Sequence, residues 1–222
     1  MLSTEQSKKL NKAGDSKSDQ GTLDKIARQD RGQRRRQEII DCATRLLLES
    51  GFDGVVLRDV ASSVGVQLSS LHYYFPTRSD LVLAIFDRES TAYEEELLAS
   101  ISHHKNIDGK VAAIVDTALN VIKGPEAKLW RLLTAYAQHN HNAAELFFRE
   151  NKLFHTVTAR ALRNIEPTLT GKRSMHIAQL FWAMIDGLAL QTTDAKNLDT
   201  VSLVETEIKT TFNAMIHSAK NI

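Results

Sequence analysis

The sequence of 222 residues is poor in the features that mark a disulfide-stapled, membrane-spanning or sheet-built protein. Its one cysteine, Cys42, cannot form an internal disulfide, so a reducing compartment is expected. Three prolines, Pro76, Pro125 and Pro167, leave long stretches without a helix breaker. No Asn-Gly or Asp-Gly turn joins two alternating apolar runs, and Val55-Val56-Leu57 is too short to found a sheet. The most apolar run, Ser174 to Ile185, falls short of the roughly 20 residues that cross a bilayer. No apolar segment follows the N-terminus, so no signal peptide is expected. Also missing are Gly-x-Ser-x-Gly, the phosphate loop, Gly-x-Gly-x-x-Gly and His-Glu-x-x-His. The expectation is a soluble cytoplasmic protein without a membrane partner, and not an enzyme; no catalytic residue, cofactor or metal is assigned.

What is present is a helical pattern. Hydrophobic residues make up 42% of the chain and charged residues 25%, enough for a sizeable core at a net charge of only +1. Residues 1–28 are polar and aperiodic and are expected to be a disordered tail, or an arm that touches a neighbouring groove of nucleic acid. From there an all-α fold of about nine helices is expected. The boundaries are Arg34–Ser50, Arg58–Val64, Leu68–Tyr74, Ser79–Ser102, Lys110–Ile122, Glu126–His139, Ala143–Ile165, Lys172–Thr192, and a ninth from an Asp199 or Thr200 cap to about Ala219. Residues 29–78 are assigned to an N-terminal three-helix domain and 79–222 to a larger helical domain.

The most informative segment runs from Leu57 to Phe75. Val60, Val64 and the small Ala61 form the inner face of one short helix, Gly65 supplies a turn tolerant of positive φ, Val66 follows it, and Leu71 and Tyr74 face back from the next helix. These offsets describe a helix-turn-helix, whose second helix fits a major groove of double-stranded DNA. A helical interaction module or small-molecule-binding protein without DNA binding is the alternative. The outer residues Gln67, Ser69, Ser70, His72 and Tyr73 are weak helix formers but useful hydrogen-bonding groups at base edges and phosphates. Lys and Arg are absent from this helix, so phosphate attraction falls to Arg58, Arg78 and the run Arg34, Arg35, Arg36.

Gly51-Phe52, Val56 to Ala61, Gly65-Val66 and Leu71-His72-Tyr73-Tyr74-Phe75-Pro76-Thr77-Arg78 with Leu81 resemble the N-terminal domain of the tetracycline-repressor family. The resemblance implies a homodimeric transcription regulator, usually a repressor, that binds a near-palindromic operator and is released by a small-molecule effector. By position it places Arg58, Leu68, Ser69 and Ser70 near bases, and His72, Tyr73, Tyr74 and Arg78 near the backbone. Val56 stands where the family usually has Thr, His72 where it has Tyr, and Arg78 where it has Lys.

In the C-terminal half, Ala178 to Leu190 and Leu129-Trp130 through Gln138 resemble choline-responsive betaine-pathway repressors. The helix holding Leu180, Met184 and Leu188 is apolar almost all round, which calls for protein on both sides. With Val204, Ile208 and Phe212 it is assigned to a two-fold interface, the alternative being a helix wholly internal to one chain. Asp186 lies inside this apolar helix. It either faces a cationic ligand, with Trp130, Tyr136 or Trp182 giving cation–π faces, or is a hydrogen-bonded structural carboxylate. Phe154 and His139 complete the candidate ligand set. His139-Asn140-His141-Asn142 reads as a polar helix end rather than a metal site.

Overall fold

The computed structural model describes residues 4–124, 126–192 and 198–218, with side chains left out at 4–24, 126 and 198–200. Among these residues are nine α-helices and no strand. The helices are α1 (Thr4–Ser50), α2 (Leu57–Ser63), α3 (Leu68–Tyr74), α4 (Arg78–Ser102), α5 (Ile107–Lys123), α6 (Glu126–Ala137), α7 (His141–Ile165), α8 (Gly171–Gln191) and α9 (Leu198–Ser218). A single 3-10 turn, Phe52–Gly54, joins α1 to α2. The all-α class and seven of the nine helices, α2 to α8, agree with the sequence reading to within about three residues at each end. Pro125 and Ala219 lie outside what is described; α9 already begins at Leu198, one or two residues ahead of the expected Asp199 or Thr200 cap, whose side chains are not described.

The N-terminus differs. The sequence reading puts a disordered tail over 1–28 and starts the first helix at Arg34, whereas α1 is continuous from Thr4. Once a nucleus is packed, each added residue gains a hydrogen bond, and no proline interrupts 4–50 to stop the helix propagating. The missing apolar stripe behind the disorder assignment shows as exposure: every residue from Lys25 to Arg31 is open to solvent.

Two cores share one helix. The N-terminal core gathers Ile39, Ile40, Ala43 and Leu47 of α1 with Phe52, Val60, Ala61, Leu71 and Phe75. It does not stop at residue 78, because Leu81, Ile85 and Phe86 of α4 and Leu129 and Leu133 of α6 belong to it. The C-terminal core takes over on α4 at Tyr93 and Leu97 and packs them against α5, α7, α8 and α9. Polar ties fix α4 at this handover. Arg88 reaches back to Asp41 at 2.5 Å and Thr44 at 3.0 Å on α1. Ser90 donates to the buried carboxylate of Glu150, and Arg149 joins Glu150 to Asp87, the latter at 2.7 Å. On the far side Lys209 of α9 meets Asp116 of α5 at 2.6 Å. Cys42 is buried and free. Among the described residues no helix is long and apolar enough to cross a membrane.

Candidate functional site

The short helices α2 and α3 are held by a turn that only glycine takes easily. Gly65 has φ +69°, and the Val66 amide donates to the Ala61 carbonyl at 2.9 Å, closing the end of α2. Val60, Ala61 and Leu71 are sealed from solvent where the helices meet, with Val64, Val66 and Tyr74 half-buried around them. This fixes the outer face of α3. Gln67, Ser69, Ser70, His72 and Tyr73 are all exposed, Tyr73 by 84%. Gln67, Ser69, Ser70 and Tyr73 make no side-chain hydrogen bond within the described residues, so their donors and acceptors are free for a ligand. His72 spends one ring nitrogen on the Pro76 carbonyl at 3.0 Å. Leu68 is half-buried at the helix start. Val56 caps α2 with its backbone only, since its side chain has no group to offer.

The flanking arginines separate into two groups. Arg58 and Arg34 are exposed, and Arg35 is anchored beside them through Glu38 at 2.7 Å and the Val64 carbonyl at 3.3 Å. Arg36 turns the other way, its guanidinium 5.1 Å from the centre of the Phe75 ring. Arg78 donates to the Phe52 carbonyl and lies 3.9 Å from Asp53, which pins the 3-10 turn to the start of α4. Thr77 and Asp80 cap that start reciprocally, with Asp80 N donating to Thr77 Oγ1 at 3.1 Å and Thr77 N donating to Asp80 Oδ2 at 2.9 Å. Starting the helix at Ser79 overlooks this box, although Thr-x-x-Asp before an apolar run is its ordinary signature.

The ligand candidates also divide. Trp130, Phe154 and Trp182 come together: Phe154 lies 5.0 Å from Trp130 and 4.7 Å from Trp182 between ring centres. Tyr93 of α4 joins them, 4.8 Å from Phe154 and 5.4 Å from Trp182. Two cavities, about 270 and 50 Å³, share the wall made by Val121, Trp130 and Phe154. The larger is faced by Glu89 and Glu96, the smaller by Asp186. Asp186 sits at the rim, open to solvent on one side, while burial on the other pushes its carboxyl up to about 6. Burial likewise raises the Tyr93 phenol, whose enclosed hydroxyl faces Thr158. Trp182 is oriented by donating to Thr158 at 2.9 Å.

Tyr136 and His139 are not part of this cavity. Tyr136 stacks on Phe52 at 4.4 Å in a separate cleft between the 3-10 turn, α4 and the start of α7, and His139 is exposed on a turn. Asn140 caps α7 there by accepting from Ala143 N at 3.0 Å. The sequence reading missed Tyr93, Glu89 and Glu96 as cavity residues. Their spacing of four and three residues put all of them on one face of α4, a signal that was available without the structure.

Half of the expected interface residues are used inside the chain. Leu188, Ile208 and Phe212 are buried in the C-terminal core, Phe212 with its ring 4.2 Å from Phe181. A helical stripe in a sequence marks a buried face without saying what buries it, and here α8 and α9 bury each other. Leu180 remains 52% exposed, and Met184 and Val204 are half-buried. Leu180, Ala183, Gly187 and Leu190 form an outward stripe on α8, and Leu203 is exposed on α9. A Cβ at Gly187 would meet nothing of its own chain within 4 Å.

Comparison with known proteins follows this division. Residues 39–85 match the family described as bacterial regulatory proteins, tetR family, and residues 109–212 match the BetI-type transcriptional repressor C-terminal domain. The HTH-type transcriptional regulator BetI of Brucella anthropi is 28% identical over 177 residues, covering 77% of this chain and 90% of that protein. PksA of Bacillus subtilis, also an HTH-type transcriptional regulator, is 23% identical, covering 71% and 78%. Among solved structures, one from Saccharomonospora viridis in complex with choline superposes with a TM-score of 0.59 at 20% identity, covering 82% of this chain and 95% of that one. Salmonella enterica GusR gives 0.65 at 16% identity, covering 82% and 95%. At these identities the structural likeness speaks for the fold.

Proposed function

Because the chain belongs to the tetR family of bacterial regulatory proteins and carries a BetI-type C-terminal domain, we propose that it is a repressor that binds a near-palindromic operator as a homodimer and is released by a small organic cation. Residues 29–78 do the reading and 79–222 the sensing and pairing. The observation that carries the DNA half is the unspent polar face of α3, held rigid on Val60, Ala61 and Leu71. Ser69, Ser70 and Gln67 address base edges, with Leu68 against thymine methyl groups, while Tyr73, Tyr74, His72, Arg58 and Arg34 meet sugar and phosphate. Arg78 and Arg36 support this surface from behind. Loss of DNA affinity in Ser69→Ala with Tyr73→Ala, at unchanged thermal stability, tests the assignment; retained affinity rejects it.

The effector reading rests on the aromatic walls with carboxylates at their edges. A cation in the larger cavity is drawn to Trp130 and Phe154, with Glu89 and Glu96 supplying opposite charge. Trp182 and Asp186 line the smaller cavity behind the shared wall, and Asp186 adds negative charge from there. The Tyr93 ring adds a further aromatic wall to the larger cavity. The choline complex of the Saccharomonospora protein makes choline the first compound to try. Coupling runs along α4. Tyr93 faces the cavity and Arg88, five residues earlier, grips α1, so an occupant that favours one position of α4 shifts the paired reading helices. Titration calorimetry with choline checks this: binding that vanishes in Trp130→Ala supports it, and silence toward quaternary ammonium compounds overturns the cation assignment.

Two chains meet through the outward stripe of α8, Leu180, Ala183, Gly187 and Leu190, with Met184, Val204 and Leu203 beside it. Gly187 lets two helices approach where its own chain leaves open space.

A further inference from the structure

We infer that α1, ahead of the reading domain, forms a second phosphate-binding face that extends the DNA footprint, with Arg28 and Arg31 as its new contacts. The inference rests on the DNA-binding reading above. Arg28, Arg31, Arg34 and Arg35 line one open groove of about 490 Å³ together with Gly32, Glu38 and Tyr74. Tyr74 closes the last turn of α3, so the groove is continuous with the reading helix rather than on a remote surface. The spacings of three, three and one put these arginines within a third of the helix circumference. Arg36 falls on the opposite side, over Phe75. Continuity of α1 through residues 28–35 makes this face a rod rather than a tail.

The charge on this face is unspent. The acid in the groove, Glu38, is taken by Arg35, while Arg28, Arg31 and Arg34 are exposed and form no ion pair among the described residues. Lysine and arginine on a bare surface are ordinarily solvated singly; with Glu38 matched to Arg35, the three remaining guanidinium groups repel one another and favour an anion beside them. Gly32 adds no side chain to the lining of the groove, with nothing within 4 Å of the place a Cβ would take. From Arg28 to Arg35 the helix rises about 10 Å, the length over which one strand of B-DNA carries roughly three phosphates. A duplex engaged by α3 therefore presents its backbone to this groove, and the contact adds affinity without reading sequence.

The test uses the full chain, a duplex enriched by the protein from a random pool, and a scrambled duplex of equal length. Binding is followed by fluorescence anisotropy across a salt series. Removing two phosphate contacts lowers the slope of log K against log salt by about 1.8. Arg28→Gln with Arg31→Gln is expected to show that loss of slope, to weaken binding to both duplexes alike, and to leave their affinity ratio unchanged. Arg28→Lys with Arg31→Lys is expected to keep the slope. Lys152→Gln with Lys172→Gln, an equal charge change on α7 and α8, is expected to leave it intact. An unchanged slope in the glutamine variant overturns the second face while leaving DNA reading in place. So does an equal loss from the control pair, which would reduce the effect to net charge. Failure of the wild-type chain to enrich any duplex overturns the DNA-binding reading and this inference with it.

Discussion

Asp186 is the residue whose chemistry is most exposed to test. Its carboxyl is raised to about 6, above the ordinary carboxylate value, so between about pH 4 and 6 the folded protein holds a proton that the unfolded chain has released. The stability linked to that proton is complete below about pH 4 and is lost as the pH rises through 6. Asp186→Asn is therefore expected to raise the melting temperature at pH 7.5 and to leave it unchanged at pH 4, measured by differential scanning fluorimetry. Binding of an organic cation runs the opposite way, since only the ionised carboxylate attracts it. Choline affinity should fall as the pH drops from 7.5 to 5, and the asparagine variant should lose that dependence. Thr77 is a simpler case: Thr77→Ala removes one half of the α4 capping box and is expected to cost about 1 kcal/mol in urea unfolding. A cost near zero would mean that Asp80 holds the helix start alone.

At the scale of elements, α3 and α4 divide the work. In α3 the buried and exposed faces give opposite outcomes. Leu71→Ala opens a void in a sealed site and is expected to cost about 2–5 kcal/mol of stability. Tyr73→Ala, at a residue 84% exposed, should leave stability within about 0.5 kcal/mol while lowering DNA affinity. In α4, Arg88 holds Asp41 and Thr44 of α1, and the proposed coupling depends on that grip. Arg88→Ala is expected to keep cation binding but to shrink the cation-induced loss of DNA affinity by about fivefold, equivalent to ~1 kcal/mol of coupling. An undiminished response would place the coupling elsewhere.

These elements also mark how far the sequence could be read. The helix-turn-helix was legible because its determinants are local: Gly65 must turn, Ala61 must be small, and Val60 and Leu71 fall on fixed faces. The aromatic cavity was half legible. Trp130, Phe154 and Trp182 stand on three helices, and apolar stripes predict that such rings are buried without saying which of them meet. Tyr136 has the same composition signal and belongs to another cleft, against Phe52. For α1 the missing information was of another kind. Helix continuation through a polar segment depends on the nucleus packed beyond it, which no window over residues 4–30 contains.

On the scale of the whole molecule, the outward stripe of α8 distinguishes a paired protein from a single chain. In Gly187→Gln the new Cβ meets nothing within 4 Å in its own chain and glycine is exchanged for a better helix former, so the fold should be retained or slightly strengthened. In a two-fold interface the same side chain blocks close approach. Sedimentation velocity is expected to show wild-type dimers and Gly187→Gln monomers with equal helical content; dimers in both would move the interface away from this stripe. The double role of α4, with Ile85 and Phe86 in one core and Tyr93 and Leu97 in the other, is what the proposed release of DNA relies on.

The most direct measurement is selection of duplexes from a random pool by the full-length protein, followed by sequencing of what it retains. Two chains related by a two-fold axis, each with one α3 in a major groove, should enrich an inverted repeat whose half-sites lie about one helical turn apart. A pool that stays unenriched, or that converges on a single unpaired half-site, contradicts it.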